Sequence, residues 1–129
     1  MLSHVLSAFM PQQSSQHLKD LLPRTLLENL AFLPLSLTAG FCEEMIFRGY
    51  LQHQFTAWTR SMAVGLALQS LCFGAAHAYQ GGTMVIVISI YGCFFGLLSN
   101  WRRSLRPGVM AHFAQDAIGG LILSRFAAR

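Results

Sequence analysis

The chain has 129 residues, of which 53% are hydrophobic and 11% charged, and its formal net charge is +4. A soluble domain has about 25% charged residues, so this composition argues against an ordinary soluble protein and predicts a one-domain integral membrane protein. Most of the positive charge is arginine beside apolar segments, not a basic run with interleaved aromatics, so we expect no nucleic-acid partner.

The first 20 residues are predicted to precede the helical core. Residues 1–10 are apolar but too short to span a bilayer, and they can form an interfacial helix. Residues 11–20 are polar and begin with Pro11, which is typical of a loop or linker. We therefore predict an N-terminal interfacial segment and linker over 1–20, followed by a core over 21–129.

Four apolar segments follow, and each predicts a membrane-spanning helix. They cover residues 25–58, with a bend near Pro34, and then 61–79, 83–101 and 109–126. The end of the first segment is amphipathic, and we expect Gln52 and His53 there to face water or headgroups. Helices are expected throughout, because the backbone in lipid must satisfy its own hydrogen bonds. The predicted fold class is all-α: a polytopic membrane helix bundle with about four transmembrane helices, in contact with lipid.

Few polar residues interrupt these apolar segments, and most of those are ionisable: Glu43, Glu44, Arg48, His77, His112 and Asp116. An ionisable side chain in lipid is costly unless it is paired or faces a cavity, so such residues are functional candidates by default. These six come from three different predicted helices. A packed bundle can therefore bring them together around one water-filled cavity.

The spacing of these residues indicates which of them share a helix face. Glu44 and Arg48 are four residues apart, so they can form a structural ion pair. Glu43 is rotated by roughly 100° from Glu44, which leaves its carboxylate for chemistry. His112 and Asp116 are also four residues apart, so both can address the same cavity.

Other interpretations give these residues no catalytic role. A histidine on an apolar helix can be a core residue bonded to a backbone carbonyl, and hexapeptide 43–48 can be a charged helix end that meets water. One alternative function is therefore a non-catalytic membrane scaffold or immunity protein, in which the polar residues only join helices. Another is a proton or metal carrier that uses the same cavity.

Taken together, the polar motifs resemble the signature of the CAAX protease and bacteriocin-processing family (CPBP, also called Abi) of intramembrane endopeptidases. The motifs are Glu-Glu-x-x-x-Arg at 43–48, Phe-x-x-x-His at 73–77 and His-x-x-x-Asp at 112–116. The resemblance covers about residues 30–126. It implies that the core over 21–129 is a multi-pass hydrolase of the bacterial plasma membrane. Its substrate would be a peptide bond of a membrane-associated protein or peptide.

The resemblance also implies a role for each residue. Glu43 would be the general base that activates a water, assisted by His77. His112 and Asp116 would stabilise the oxyanion of the tetrahedral intermediate. Beside these four catalytic residues, the Glu44 ion pair would hold the helix.

The family has also been described as metal-dependent, with glutamate and histidine ligands. A Zn²⁺ ion on Glu43, His77 and His112 with a bound water would be ordinary catalytic chemistry and would make the protein a metalloprotease. The sequence has no HExxH motif that demands a metal. A metal-free, glutamate-dependent mechanism therefore stays open beside the zinc one.

The sequence departs from the family pattern in two respects. Family members usually have further spans before the first motif, whereas only residues 1–10 precede the linker here, so a truncated inactive homologue is an alternative. The third motif ends in Asp116, where prenyl proteases typically have asparagine. An ionised aspartate cannot donate to an oxyanion, so Asp116 must be protonated, orient His112 or bind a metal.

The two catalytic histidines are expected at different depths. His77 lies some 16 residues into its predicted span, about 24 Å at the helical rise, and His112 only about 8 Å beyond Pro107. For the two to meet, the helices must tilt strongly, or segment 102–108 must enter the bilayer.

Overall fold

The computed structural model describes residues 22–127, so the segment predicted over 1–20 lies outside the described residues. Every regular element in the described range is helical, which confirms the all-α prediction. The helices are α1 (Leu26–Glu44), α2 (Gln52–Thr59), α3 (Met62–Ala76), α4 (Gly82–Arg102) and α5 (Arg106–Ala127). A π-helical segment, Met45–Leu51, joins α1 to α2, and a 3-10 turn, Ala78–Gln80, follows α3.

The long first helix begins at a capping box. The Thr25 hydroxyl accepts from the Glu28 backbone N–H at 3.2 Å, and the Glu28 carboxylate accepts from the Thr25 N–H at 3.2 Å. From there the chain stays helical over Leu26–Thr59, a stretch of 34 residues that contains Pro34. The long helix predicted over 25–58 is therefore confirmed.

The π-helical segment was not predicted, and neither was the burial of Gln52 directly after it. The segment's i→i+5 bonding ends with the Gln52 backbone N–H donating to the Phe47 carbonyl. Glu44, Arg48 and Gln52 follow one another at four-residue spacing and share one inner face, and all three are at most 3% exposed. The prediction that Gln52 faces water is therefore wrong, whereas His53 is exposed as predicted.

Two of the described helices are long and apolar enough to cross a membrane. They are Leu26–Thr59, with a mean hydropathy of 1.4, and Gly82–Arg102, with 1.9. The helix in the second predicted span has only 15 residues, fewer than the roughly 20 that a bilayer needs, because the chain leaves the helix at His77. Helix α5 has 22 residues but is not among the candidate spans. A count of four transmembrane helices therefore stays a prediction.

The two halves of the long helix have different partners. The α1 half packs against α5, where Gly40 lies beside the Phe113 backbone. The α2 half packs against α3, where Gly65 lies beside Thr56, and α3 packs in turn against α4. The acidic pair at 43 and 44 lies where the long helix passes from one partner to the other.

Close approach of α3 and α4 depends on Gly74. A Cβ built on this residue would collide with the Ser89 hydroxyl and the Val85 carbonyl. We expect Gly74→Ala to destabilise the fold by about 1–3 kcal/mol, because one of the two helices must move. Gly119→Ala is the matched control, since nothing lies within 4 Å of its Cβ. It should be neutral or stabilising by up to about 1 kcal/mol. Thermal unfolding in detergent measures both, and equal midpoints would contradict this packing.

Candidate active site

Residues from the three motifs come together at one place in the structure. Glu43 lies near the end of α1, His77 directly follows α3, and His112 lies in the second turn of α5. The Glu43 Oε2 atom is 3.8 Å from His77 Nε2 and 3.6 Å from His112 Nε2. Within the described range, no protein group donates a hydrogen bond to this buried oxygen.

The two histidines meet because α5 begins beside the middle of the long helix. A Cβ built on Gly108, in the first turn of α5, would lie 2.7 Å from Glu44 Oε2. In the preceding loop, the Leu105 side chain lies 3.1 Å from a Cβ built on Gly49. Leu105 and Gly108 thus lie close to the long helix near the acidic pair, and the depth of segment 102–108 in a bilayer stays a prediction.

His77 is held with its Nε2 atom toward Glu43. Its Nδ1 lies 2.9 Å from the Phe73 carbonyl oxygen, which can only accept, so Nδ1 carries the proton and donates. The Phe73 ring meets the imidazole edge to face at 5.0 Å, and the Tyr79 ring lies 6.1 Å away at 28°. In the neutral ring, Nε2 therefore presents a lone pair to Glu43.

His112 is more deeply buried than His77, and carboxylates face both of its ring nitrogens. Its Nδ1 lies 3.1 Å from Glu44 Oε1. Its Nε2 faces Glu43 and also lies 3.7 Å from Asp116 Oδ2. The i,i+4 spacing thus does bring Asp116 beside His112. A carboxylate at Nδ1 requires that nitrogen to be the donor, which fixes the tautomer of the neutral ring.

Below these residues lies a buried ion pair. Arg48 Nη1 is 2.8 Å from Glu44 Oε1, and both side chains are fully buried. The guanidinium lies 4.1 Å from the Phe73 ring centroid and 5.3 Å from that of Phe95. Its Nη2 also donates to the Gly92 carbonyl on α4. These contacts offset part of the cost of burying the pair, although Arg48 Nε and Glu44 Oε2 have no hydrogen-bond partner among the described residues.

Glu44 belongs to two interactions, of which the sequence predicted only one. Its Oε1 pairs with Arg48 and also accepts from His112, so the ion pair is connected directly to the site. The contact links residues 68 positions apart, so the spacing of residues within one helix cannot predict it. A glycine at 108, which lets α5 approach Glu44, was the available signal.

A second layer of polar side chains lies beyond Arg48, and the sequence did not predict these residues as a group. Gln69 is fully buried and its amide donates to the Gly92 carbonyl at 3.0 Å. Gln52 donates to the Gly96 carbonyl at 3.4 Å. These bonds join the long helix and α3 to α4, which contains none of the three motifs.

Exposure shows the side from which the site is open. The Glu43 and Asp116 side chains are 29% and 33% exposed, whereas Glu44 and Arg48 are 0% exposed. His77 and His112 lie between these extremes. The two carboxylates are therefore the most exposed part of the site, and the ion pair is its buried floor.

As one of two open mechanisms, the sequence predicted a zinc ion on the glutamate and histidine atoms of this site. Residues 22–127 contain no group of three or more His, Cys, Asp or Glu side chains that is already arranged as a metal site. Zinc needs its ligand atoms about 2.0–2.2 Å from one point. The predicted ligands Glu43, His77 and His112 are neighbours, with Glu43 Oε2 at 3.8 and 3.6 Å from the two Nε2 atoms, and a zinc ion held by them stays a prediction.

The described residues combine an all-helical fold, two helices able to span a membrane, and a carboxylate set against two histidines. Residues 25–118 match the family model described as type II CAAX prenyl endopeptidase Rce1-like, and the chain belongs to this family. The match contains all six predicted site residues and confirms the resemblance found from the motifs.

One relative shows how the chain compares with a longer protein. It is 34% identical over 86 residues to the uncharacterized protein YpbD of Bacillus subtilis (strain 168). The match covers 65% of this chain and 41% of that protein, so the chain spans about two fifths of its relative's length. No solved structure matches.

Proposed function

We propose that this protein is an intramembrane endopeptidase that hydrolyses a peptide bond of a membrane-associated protein or peptide. Glu43 is the general base in this proposal, and His77 assists it. Membership of a family described as endopeptidases supports the reaction class. Prenylated CAAX proteins, bacteriocin leader peptides and other membrane peptides are the candidate substrates.

The observation that carries the proposal is the convergence of acceptors at Glu43. Its Oε2 atom lies 3.8 Å from His77 Nε2 and 3.6 Å from His112 Nε2, and both distances are longer than a direct hydrogen bond. Neutral rings with protonated Nδ1 atoms offer only lone pairs there. A water molecule can donate to two of these acceptors and is the nucleophile that the arrangement suits.

In the proposed reaction, a water donates to Glu43 Oε2 and His77 Nε2 and points its oxygen lone pair at the scissile carbonyl carbon. Glu43 takes one proton as the new C–O bond forms, which gives a tetrahedral intermediate with a negatively charged oxygen. The C–N bond then breaks, and the leaving amine takes the proton that Glu43 held. The products are a carboxylic acid and an amine, with no covalent enzyme intermediate.

Stabilisation of the oxyanion is assigned to His112. Its Nδ1–H is bonded to Glu44, so the neutral ring must first take up a proton from solvent on Nε2 before that atom can donate to the oxyanion. Asp116 Oδ2, at 3.7 Å from Nε2, is then placed to orient this ring. This contact supports the second of the three roles that the sequence left open for Asp116.

The same proposal includes a multi-pass location in the bacterial plasma membrane. Leu26–Thr59 and Gly82–Arg102 supply two candidate spans. We propose that α3 and α5 complete a four-helix membrane core, because their packing against the spans buries the site. Lipid and a membrane-associated peptide are then its partners.

The experiment that tests this function compares His77→Asn with His53→Asn in liposomes that contain membrane-anchored peptides. His77→Asn should lower kcat by about 10²-fold, the lower end of a general acid–base contribution. His53 lies on the exposed face of α2, and its variant should cleave at the wild-type rate. Equal rates for both variants, or a wild-type protein that cleaves no peptide, would contradict the proposal and favour a scaffold.

Chelation separates the two forms of the mechanism. If the metal-free, glutamate-dependent mechanism holds, dialysis against a strong chelator should change kcat less than twofold. Elemental analysis of the purified protein, measured beside activity, is the control. Stoichiometric zinc whose removal abolishes cleavage, and whose return restores it, would instead assign Glu43, His77 and His112 as ligands.

A further inference from the structure

Helix α4 contains none of the three motifs, yet one of its side chains lies flat against the site. Phe95 is 7% exposed, and its ring stacks on the His112 imidazole with centroids 5.1 Å apart and planes at 17°. This is an offset-stacked geometry, a preferred arrangement of aromatic pairs. Tyr91, one turn earlier, stacks on Phe95 in turn at 6.4 Å and 27°.

The His112 ring is bounded by three kinds of contact. Phe95 covers one face, the Phe73 ring meets the imidazole edge to face at 5.8 Å, and Glu44 accepts from Nδ1. The hydrogen bond fixes the position of Nδ1, but it does not by itself fix the plane of the imidazole ring. A stacked aromatic ring restrains the orientation of that plane, because the imidazole must stay parallel to the neighbouring ring to keep contact.

We propose that Phe95 is a positioning residue that holds the His112 imidazole with Nε2 directed toward Glu43 and Asp116. The consequence for rate rests on the endopeptidase function proposed above, whereas the consequence for ring orientation does not. Arg48 adds a second reason for an aromatic side chain here, since its guanidinium lies 5.3 Å from the Phe95 centroid. One ring thus contacts both the ion-pair floor and the histidine above it.

The test compares Phe95→Leu with Phe94→Leu, the same change one residue earlier. Phe94 is 62% exposed, so its variant controls for the loss of a phenyl ring from α4. Phe95→Leu should lower kcat about tenfold with KM within about twofold, because a misplaced ring weakens transition-state contacts more than substrate binding. Phe94→Leu should keep both constants. Phe95→Tyr keeps the stacking ring and should recover most of kcat.

A spectroscopic measurement makes the test independent of cleavage. The ring ¹⁵N shifts of His112, assigned with the His112→Asn variant, report which nitrogen carries the proton. In the wild-type protein and Phe94→Leu they should show a single Nδ1–H form, and in Phe95→Leu they should move toward averaged values. Phe95→Met, which restores most of the volume without a ring, should behave like Phe95→Leu if the latter unfolds.

The outcomes separate the two proposals. Unchanged ¹⁵N shifts in folded Phe95→Leu or Phe95→Met protein would overturn the positioning role, whatever the enzyme does. A wild-type protein that cleaves no peptide, but whose His112 shifts respond to Phe95 and not to Phe94, would keep the positioning role and reject the endopeptidase function.

Discussion

Glu43→Gln is expected to lower kcat for peptide cleavage by about 10³-fold or more while the protein stays folded. Glutamine has the size and shape of glutamate, but its amide cannot take a proton from water, and general bases contribute about 10²–10⁴-fold. The Glu43 carboxylate has no ion-pair partner as short as the 2.8 Å contact of Glu44. Single-turnover cleavage of a membrane-anchored peptide measures the loss.

Glu28→Gln is the matched control for this substitution. Glu28 is exposed and closes the capping box of α1, a role that glutamine also fills. The control should therefore keep both the cleavage rate and the unfolding midpoint. A Glu43→Gln protein that cleaves within tenfold of the wild-type rate would reject the base role. A protein that loses its fold along with its activity would make Glu43 structural.

The contacts that the sequence predicted are those set by local helix geometry. Glu44 and Arg48, and likewise His112 and Asp116, are neighbours because residues four apart on a helix share a face. The rotation between adjacent residues holds only in part, since Glu43 lies beside His77 and Glu44 pairs with Arg48, but both carboxylates approach His112. A spacing rule suffices for these pairs because it needs no knowledge of the neighbouring helices.

Contacts between helices could be anticipated only as a cluster. Ionisable side chains are costly in an apolar bundle, so the sequence predicted that they share one cavity. It did not predict which atoms face each other. The link from Glu44 to His112 depends on how closely α5 approaches, and that depends on Gly108. Phe95 was missed because an aromatic residue in an apolar helix looks like ordinary core, although its four-residue spacing from Tyr91 forms a stacked pair.

The length of α3 shows where apolar composition misleads. Residues 61–79 have no Asp, Glu, Lys or Arg and were predicted as one span, but the helix is Met62–Ala76. After His77 the chain forms a 3-10 turn and reaches Gly81 at φ 102°, a conformation that suits glycine. The early end puts His77 at the helix terminus, where its ring bonds the Phe73 carbonyl and reaches Glu43. The early end of α3 thus places His77 at the candidate site.

Arg48→Met is expected to destabilise the protein by about 3–5 kcal/mol, because it leaves Glu44 as a buried charge without its ion-pair partner. Methionine approximates the length of the arginine stem, so the lost charge and hydrogen bonds dominate the effect. Glu44→Gln should cost a similar amount, since it leaves the Arg48 guanidinium unpaired among Phe73 and Phe95. Unfolding in detergent, followed by circular dichroism against denaturant, gives both free energies.

The double variant Glu44→Gln/Arg48→Met decides whether the pair is a unit. With both charges gone, the protein should be more stable than either single variant, and the coupling free energy should exceed about 1 kcal/mol. Additive losses would mean that the two residues act separately, in conflict with the 2.8 Å contact.

Cleavage should not follow stability in this series, because Glu44 also accepts from His112 Nδ1. Arg48→Met keeps that acceptor, so its folded fraction should retain a His112 ring held as in the wild-type protein. The double variant replaces the acceptor with an amide that can turn its NH₂ toward the ring, which removes the preference for a protonated Nδ1. We therefore expect the double variant to regain stability and to cleave more slowly, per folded molecule, than Arg48→Met. A double variant as active as Arg48→Met would reduce Glu44 to the structural partner that the sequence alone suggested.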